Sequence, residues 1–162
     1  MSWAAIAILG FVTLQRLVEL IVSRANTKRL LAAGGHEVAS GHYYWLVTLH
    51  LAWLITLWDL APGRPISPHF LLIFILIEIV RFWTLWTLGR RWTTRIIVVP
   101  GETLVTSGPY RFVNHPNYWV VTGEIAVLPL VFGLWPVALL ATILNAAVLS
   151  VRVRAEDRAL GR

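Results

Sequence analysis

The sequence contains no cysteine, a single methionine and only 14% charged residues among its 162. Without cysteine the chain forms no disulfide bond, no thiolate metal site and no cysteine nucleophile, so any catalysis must use other groups. We expect no metal. Lysine and arginine nevertheless outnumber the acidic residues by 14 to 8. Because these basic residues lie at the ends of apolar runs and not on a polar face, we expect no nucleic-acid partner either.

Hydrophobic residues, by contrast, make up 57% of the chain, and its mean hydropathy is +0.70. A helix needs about 20 apolar residues to cross the hydrocarbon core of a membrane. Several runs approach that length, at residues 2–22, 43–60, 68–88, 118–132 and 135–151. The composition therefore predicts an all-α integral membrane protein with about five transmembrane helices.

The connections between these runs predict a single transmembrane domain over residues 1–162. The turn at residues 133–136 is so short that the last two helices must form a tight hairpin. Three N-terminal helices would occupy residues 1–88, and a long loop, the hairpin and a charged tail would occupy residues 89–162. The first run lacks a basic start and a cleavage site, so we expect a retained helix and not a secretory signal.

The basic residues outside the spans predict the orientation of the chain. They are distributed very unequally between the two sides of the membrane. Arg64 would lie on one side, and the other side would contain Arg24, Lys28, Arg29, Arg90, Arg91, Arg95, Arg111, Arg152, Arg154, Arg158 and Arg162. By the positive-inside rule the second side is cytoplasmic, so the N-terminus lies outside and the C-terminus inside. Five tryptophans lie near the predicted helix ends, where a belt of aromatic residues at the membrane interface would account for their positions. They are Trp3, Trp45, Trp58, Trp92 and Trp135.

Residues 108–118 form a polar, proline-containing segment between hydrophobic helices. This composition indicates a functional site and not a simple linker. His115 precedes Pro116, whose ring disfavours a helical conformation for the residue before it, while Pro116 suits the first turn of a helix. His115 should therefore lie just outside a helix N-terminus, either as a ligand-binding residue or merely as a cap or a solvent-facing side chain. The free amides of that first turn would favour a carboxylate-bearing ligand.

The hairpin brings a second polar group to the same membrane face. Arg152 and Glu156 are four residues apart, so a continuing helix would place them on one face. Spacing alone favours an exposed helical ion pair, and a functional pair is the alternative. With His115 at the start of one hairpin helix and Glu156 at the end of the other, two polar clusters should converge.

Ionisable residues also occur inside the predicted spans, where they are functional candidates by default. Arg16 and Glu19 are three residues apart, as are Glu78 and Arg81. We expect each to be an intrahelical pair that fixes helix packing near the cytoplasmic boundary, with a functional role as the alternative. Glu124 has no local partner in sequence, and we expect a contact with Arg81.

Three motifs together resemble the isoprenylcysteine carboxyl methyltransferase family of membrane enzymes. They are the run Leu104–Arg111, the run His115–Tyr118, and Arg152 followed by Glu156 and Leu160. The resemblance covers about residues 88–160 and keeps both the order and the spacing of the motifs. It implies a membrane enzyme that transfers a methyl group from S-adenosylmethionine to a lipophilic acceptor entering from the bilayer.

The resemblance also implies roles for individual residues, in a cofactor pocket on the cytosolic side of a bacterial inner or cell membrane. Cofactor contacts are expected from Glu102, Thr103, Leu104, Val105, Tyr110, His115, Pro116, Asn117, Tyr118 and Glu156. Arg152 is expected to bind the acceptor, and Arg152 and Glu156 to be the catalytic residues. Small members of the family are similar to bacterial enzymes that methylate the hydroxyl of alkylpyrone or alkylresorcinol lipids, and a prenylcysteine-like carboxylate is the alternative acceptor.

The sequence departs from the family pattern at Asn114, where arginine is common, and it has the acidic pair Glu156 and Asp157 after the last helix. Because the sequence stops at Arg162, we expect it to lack the longer aromatic tail of the family. Two other functions stay open. One is a membrane sterol-type reductase that uses NADPH, and the other is a non-catalytic module that binds membrane lipids or a partner helix.

Overall fold

The computed structural model describes residues 3–161, without the side chain of His42. Within this range lie five α-helices: α1 (Trp3–Ala32), α2 (Gly41–Leu60), α3 (Pro68–Leu88), α4 (Pro116–Val131) and α5 (Trp135–Leu160). The predictions that concern Ser2 and Arg162 fall outside the described residues. α1 and α5 continue well past their predicted ends at residues 22 and 151, because the lysine, arginine and glutamate that follow the apolar runs are good helix formers.

Three of these helices, α1, α3 and α5, are long and apolar enough to cross a membrane. The protein is accordingly a helical membrane protein. α4 has 16 residues, and at a rise of 1.5 Å per residue it is roughly 24 Å long. That length is shorter than the hydrocarbon core of about 30 Å. Five membrane crossings therefore stay a prediction.

Two short strands accompany the helices and were not predicted. β1 (His36–Val38) pairs antiparallel with β2 (Ile96–Val98), so that Glu37 lies opposite Ile97. Beside this pair Arg95 Nη1 donates to Glu37 Oε2 at 2.7 Å, and the hydrogen bond raises the pKa of Arg95. The strands join the connection after α1 to the connection after α3, which runs to the predicted site.

The predicted tight hairpin is confirmed, since α4 and α5 pack together across the short turn between Val131 and Trp135. Gly133 in this turn has a φ of +67°, a left-handed conformation that glycine adopts without a steric penalty. The hairpin places the start of α4 beside the end of α5.

The interior of the bundle changes from apolar to charged along its length. Buried apolar side chains pack where α1, α3 and α5 begin and α2 and α4 end, among them Leu9, Leu57, Phe74, Leu128 and Phe132. The outer helix surfaces expose many large apolar side chains, as expected for helices whose solvent is lipid. Next to the apolar core, toward the other end, lies a buried cluster of charged side chains.

In this cluster Arg81 lies between two carboxylates from other helices. Its guanidinium donates to Glu19 at 2.7 and 2.5 Å and to Glu124 Oε2 at 2.6 Å. Arg16 bonds both acids as well, Glu19 at 3.0 Å and Glu124 at 2.7 Å. The predicted pairs Arg16–Glu19 and Arg81–Glu124 are therefore confirmed. The predicted pair within α3 is wrong, because Glu78 instead accepts a hydrogen bond from Gln15 Nε2 at 2.6 Å.

Candidate active site

Most of the predicted site residues line one cleft at the end of the bundle away from the apolar core. The cleft has a volume of about 210 Å³. One water needs only roughly 10–15 Å³, so an organic molecule has room. The lining includes Glu102, Thr103, Leu104, Val105, Tyr110, His115, Asn117, Tyr118, Arg152 and Glu156. Pro116 is buried at the first position of α4, where it shapes the cleft through the helix start.

The loop that forms one wall of the cleft is held by Arg91. Its Nε lies 2.8 Å from Glu102 Oε1, and its Nη1 donates to the Thr103 carbonyl at 2.8 Å. The loop returns to α3 at Gly108, which has a φ of +57°. A Cβ there would lie 2.4 Å from Thr87 Oγ1, so only glycine allows this close approach.

His115 lies just outside the helix that begins at Pro116, as predicted, with a φ of −130°. It occupies the N-cap position, but its ring makes no capping hydrogen bond. Instead Nε2 lies 2.8 Å from Asp157 Oδ1, and the ring stacks on Tyr118 with 5.4 Å between centroids. Asp157, the second residue of the predicted acidic pair, thus connects the end of α5 to the start of α4.

Arg152 and Glu156 do not form the exposed ion pair that their spacing suggested. The hydroxyl of Tyr118 lies between them: it donates to Glu156 and accepts from Arg152 Nε at 2.9 Å. Arg152 Nη2 donates to the Thr94 carbonyl at 2.6 Å, and the residue is only 5% exposed. The pairing fails because the helix end faces the cleft and not water.

Arg152 is consequently a buried cation whose direct hydrogen-bond partners, a hydroxyl and a carbonyl, are neutral. Among residues 3–161, no carboxylate lies within 4.0 Å of its guanidinium. The Glu156 carboxylate reaches it only through the Tyr118 hydroxyl, so within the described chain the buried guanidinium has no direct counter-ion. The arrangement therefore suits an anionic group of a ligand, which would supply the missing charge.

Two further side chains offer polar atoms to the cleft. Asn117 Oδ1 is buried and accepts no hydrogen bond from the described part of the chain. Burial, and secondarily the charge of Glu156, raises the pKa of Tyr110, so its phenol stays protonated at neutral pH and can donate. The cleft thus presents a cation, a carboxylate, an acceptor and a donor.

The sequence analysis missed the residues of α1 that support this site. Ser23 Oγ lies 2.8 Å from both the amide and the hydroxyl of Thr94, whose carbonyl holds Arg152. Asn26 donates to the carbonyls of Gly89 and Trp92 at 3.3 and 2.8 Å. The buried position of Trp92 also shows that its assignment to an interfacial belt was wrong.

A signal for these residues is present in the sequence. Ser23 and Asn26 continue the spacing of three and four residues that relates the buried positions Val12, Gln15 and Glu19. A polar residue on the buried face of a helix usually has a hydrogen-bond partner. This series of buried positions therefore indicates polar contacts of α1 beyond the predicted span 2–22. It does not identify the residues that form those contacts.

The fold and the cleft define a helical membrane protein with a cleft lined by ionisable and polar side chains at one end of its bundle. The model of the isoprenylcysteine carboxyl methyltransferase (ICMT) family matches residues 70–162, and the chain belongs to this family of methyltransferases. The uncharacterized protein YpbQ of Bacillus subtilis (strain 168) is 39% identical over 165 residues, 99% of this chain and 96% of that protein.

A second relative is an uncharacterized protein of Haemophilus influenzae (strain ATCC 51907 / DSM 11121 / KW20 / Rd). It is 24% identical over 151 residues, 90% of this chain and 88% of its own length. No solved structure is significantly similar to the chain. The family resemblance inferred from the three C-terminal motifs is confirmed, and membership implies membrane methyltransferase activity.

Proposed function

We propose that the protein is an S-adenosylmethionine-dependent O-methyltransferase whose lipophilic acceptor enters from the bilayer. The observation that carries the proposal is Arg152, a buried cation on the cleft wall that has a hydroxyl and a carbonyl for partners but no direct ion pair with a carboxylate of the described residues. In the proposed topology the cleft opens on the cytoplasmic face.

The cleft fits the cofactor by the chemistry of its lining. Glu156 offers a carboxylate to the cationic end, and Asn117 offers an acceptor without a partner in the described chain. Glu102, Thr103, Leu104 and Val105 form the loop wall, and Tyr110, His115 and Tyr118 add polar and aromatic surface. When bound, S-adenosylmethionine supplies a methyl group on a positively charged sulfur, so the protein needs no nucleophile of its own.

The task of the protein is then to orient and desolvate the acceptor. Arg152 would hold its oxygen anion, either a carboxylate or the ionised hydroxyl of an acidic enol or phenol. A hydroxyl loses its proton when it is methylated, whereas a carboxylate has none to lose. We favour the hydroxyl of an alkylpyrone or alkylresorcinol lipid over a prenylcysteine-like carboxylate. Assays with both lipid classes separate these acceptors.

A groove between α1 and α3 offers a path from the bilayer. It has a volume of about 330 Å³ and is lined mainly by apolar residues, namely Phe11, Leu14, Val18, Val22, Phe82 and Leu85, with Gln15, Glu19 and Gly89. Trp92 lines both this groove and the cleft. We therefore assign the groove to the hydrocarbon chain of the acceptor, with Trp92 at the junction.

Filling the groove should weaken acceptor use without affecting the cofactor. Val18→Trp places a large ring in the groove, so we expect KM for an alkylresorcinol acceptor to rise about tenfold or more while S-adenosylmethionine affinity stays unchanged. Leu17→Trp is the control, because Leu17 is exposed on the same helix but does not line the groove. Equal kinetics for the two variants would contradict the assignment.

Cofactor binding itself is tested by calorimetry on purified protein. Glu156→Gln removes the charge but keeps the shape, and we expect S-adenosylmethionine affinity to fall on the order of tenfold or more, since a hydrogen bond to a charged group contributes about 1.5–3 kcal/mol. Asp59→Asn makes the same charge change at an exposed position at the end of α2 and should bind like the native chain.

Native protein that binds NADPH in place of S-adenosylmethionine would instead favour the reductase. Folded native protein that binds neither would favour the non-catalytic module. Either result would refute the proposed methyltransferase, whereas equal affinity of Glu156→Gln and native protein would refute only the role of Glu156.

A further inference from the structure

The buried charged cluster between the apolar core and the cleft contains more acids than bases. Its guanidinium groups are those of Arg16 and Arg81, and its carboxyl groups are those of Glu19, Glu78 and Glu124. If every group were ionised, the cluster would carry one net negative charge. An unbalanced charge at membrane depth is expensive, so the interior must acquire a proton or a cation.

Hydrogen bonding shows which acid is least suited to being ionised. Glu19 receives hydrogen bonds from both guanidinium groups, and so does Glu124 through Oε2. Glu78 is only 6% exposed, and its donor is the neutral amide of Gln15. Arginine thus neutralises Glu19 and Glu124, while Glu78 has a neutral donor.

Each of the acids Glu78 and Glu124 has one carboxyl oxygen atom without a hydrogen-bond partner in the described part of the chain. Glu78 Oε1 and Glu124 Oε1 are both buried, and neither has a hydrogen-bond partner among residues 3–161. Glu78 lies about one turn from Arg81 on α3, and Arg81 donates to Glu124 on α4, so the two carboxyl groups are neighbours in the buried cluster. Two ionised carboxylates would repel each other at this separation, but a single proton between them satisfies both oxygen atoms.

We infer that Glu78 and Glu124 hold one proton between them in the folded protein, with Glu78 as the protonated donor and Glu124 as the ionised acceptor. The proton makes the whole cluster neutral. It thereby allows α1, α3 and α4 to pack together at membrane depth through Gln15, Arg16 and Arg81. The inference is independent of the proposed methyl transfer.

The other groups near the pair do not replace this proton. On α2, His50 lies within electrostatic range of Arg16, Arg81 and Glu124, and its Nδ1 is 2.8 Å from the Leu46 carbonyl. His50 thus uses this ring nitrogen within its own helix. A bound metal is also disfavoured, because within the described chain no three His, Asp or Glu side chains are grouped to hold one.

Infrared spectroscopy detects the proton directly, because a protonated carboxylic acid has a carbonyl stretching band that an ionised carboxylate lacks. We expect native protein at neutral pH to show this band, Glu78→Gln to lose it and Glu102→Gln, which alters an acid of the cleft loop, to retain it. Absence of the band from native protein, or its persistence in Glu78→Gln, would overturn the inference.

Thermal unfolding provides a second measurement that depends on which acid is protonated. A glutamine mimics a protonated glutamate, so Glu78→Gln should unfold near the native temperature at neutral pH, whereas Glu124→Gln should unfold at a clearly lower one. If Glu78→Gln lost as much stability as Glu124→Gln, the assignment of the proton would be wrong. Stabilisation of native protein by sodium ions at fixed ionic strength would instead indicate a cation.

The shared proton should make the stability of the folded protein depend on pH in one direction. Because the folded protein binds this proton more tightly than the unfolded chain, its contribution to stability is present at lower pH and is lost as pH rises past the titration of the folded pair. We expect Glu78→Gln to lose this alkaline decline, and an unchanged decline would also contradict the inference.

Discussion

Arg152→Leu should reduce methyl transfer to an anionic or phenolic lipid acceptor on the order of a hundredfold or more. Truncation of a buried charge that holds a ligand anion costs about 2–5 kcal/mol, and 1.4 kcal/mol corresponds to a tenfold change in rate. The measurement is transfer of labelled methyl from S-adenosylmethionine to alkylresorcinol and prenylcysteine lipids. Arg152→Lys should recover only part of the activity, because an ammonium lacks the planar fork of donors.

The matched control for this prediction is Arg154→Leu, since Arg154 lies on the same helix but is exposed. It should methylate at the native rate. Calorimetry on Arg152→Leu separates a lost acceptor contact from a collapsed site, because the variant should still bind S-adenosylmethionine. Native-like methylation by Arg152→Leu would refute the role of this arginine, and loss of cofactor binding would show that it organises the whole cleft.

Arg81→Leu should destabilise the protein by about 3–5 kcal/mol, the largest stability effect that we expect. Arg81 is 3% exposed and bonds both Glu19 and Glu124, so its removal leaves buried carboxylates with Arg16 alone to neutralise them. Breaking a buried ion pair from one side is costly for this reason. The measurement is equilibrium unfolding in detergent or bicelles.

The reference variant for this prediction is Arg64→Leu, in the exposed connection between α2 and α3. It should change stability by no more than about 0.5 kcal/mol. Combining Arg81→Leu with Glu124→Gln should restore part of the lost stability, because the second change removes an unpaired charge. A small effect of Arg81→Leu alone would mean that water reaches the cluster.

The sequence located the candidate site better than it described the contacts within it. The family resemblance carried by the motifs at His115 and Arg152 implied a set of residues most of which line the cleft. The partner of each side chain was less predictable. Arg152 and Glu156 have ideal spacing for an ion pair, yet the hydroxyl of Tyr118 from another helix lies between them.

The intramembrane acids show the same limit. Spacing within one helix correctly paired Arg16 with Glu19 but incorrectly paired Glu78 with Arg81. The three-residue spacing is equal in the two cases. The difference is that Arg81 has carboxylates from two other helices within 3 Å, and such contacts depend on how the helices pack.

The sequence by itself determined that this is a helical membrane protein of the ICMT family, because hydropathy, turn residues and local motifs are properties of short segments. Only the tertiary structure decided that α1 reaches the site through Ser23 and Asn26, that β1 pairs with β2, and that Gln15 meets Glu78. These contacts join residues far apart in the chain. Their geometry depends on the packing of whole helices, which no local pattern specifies.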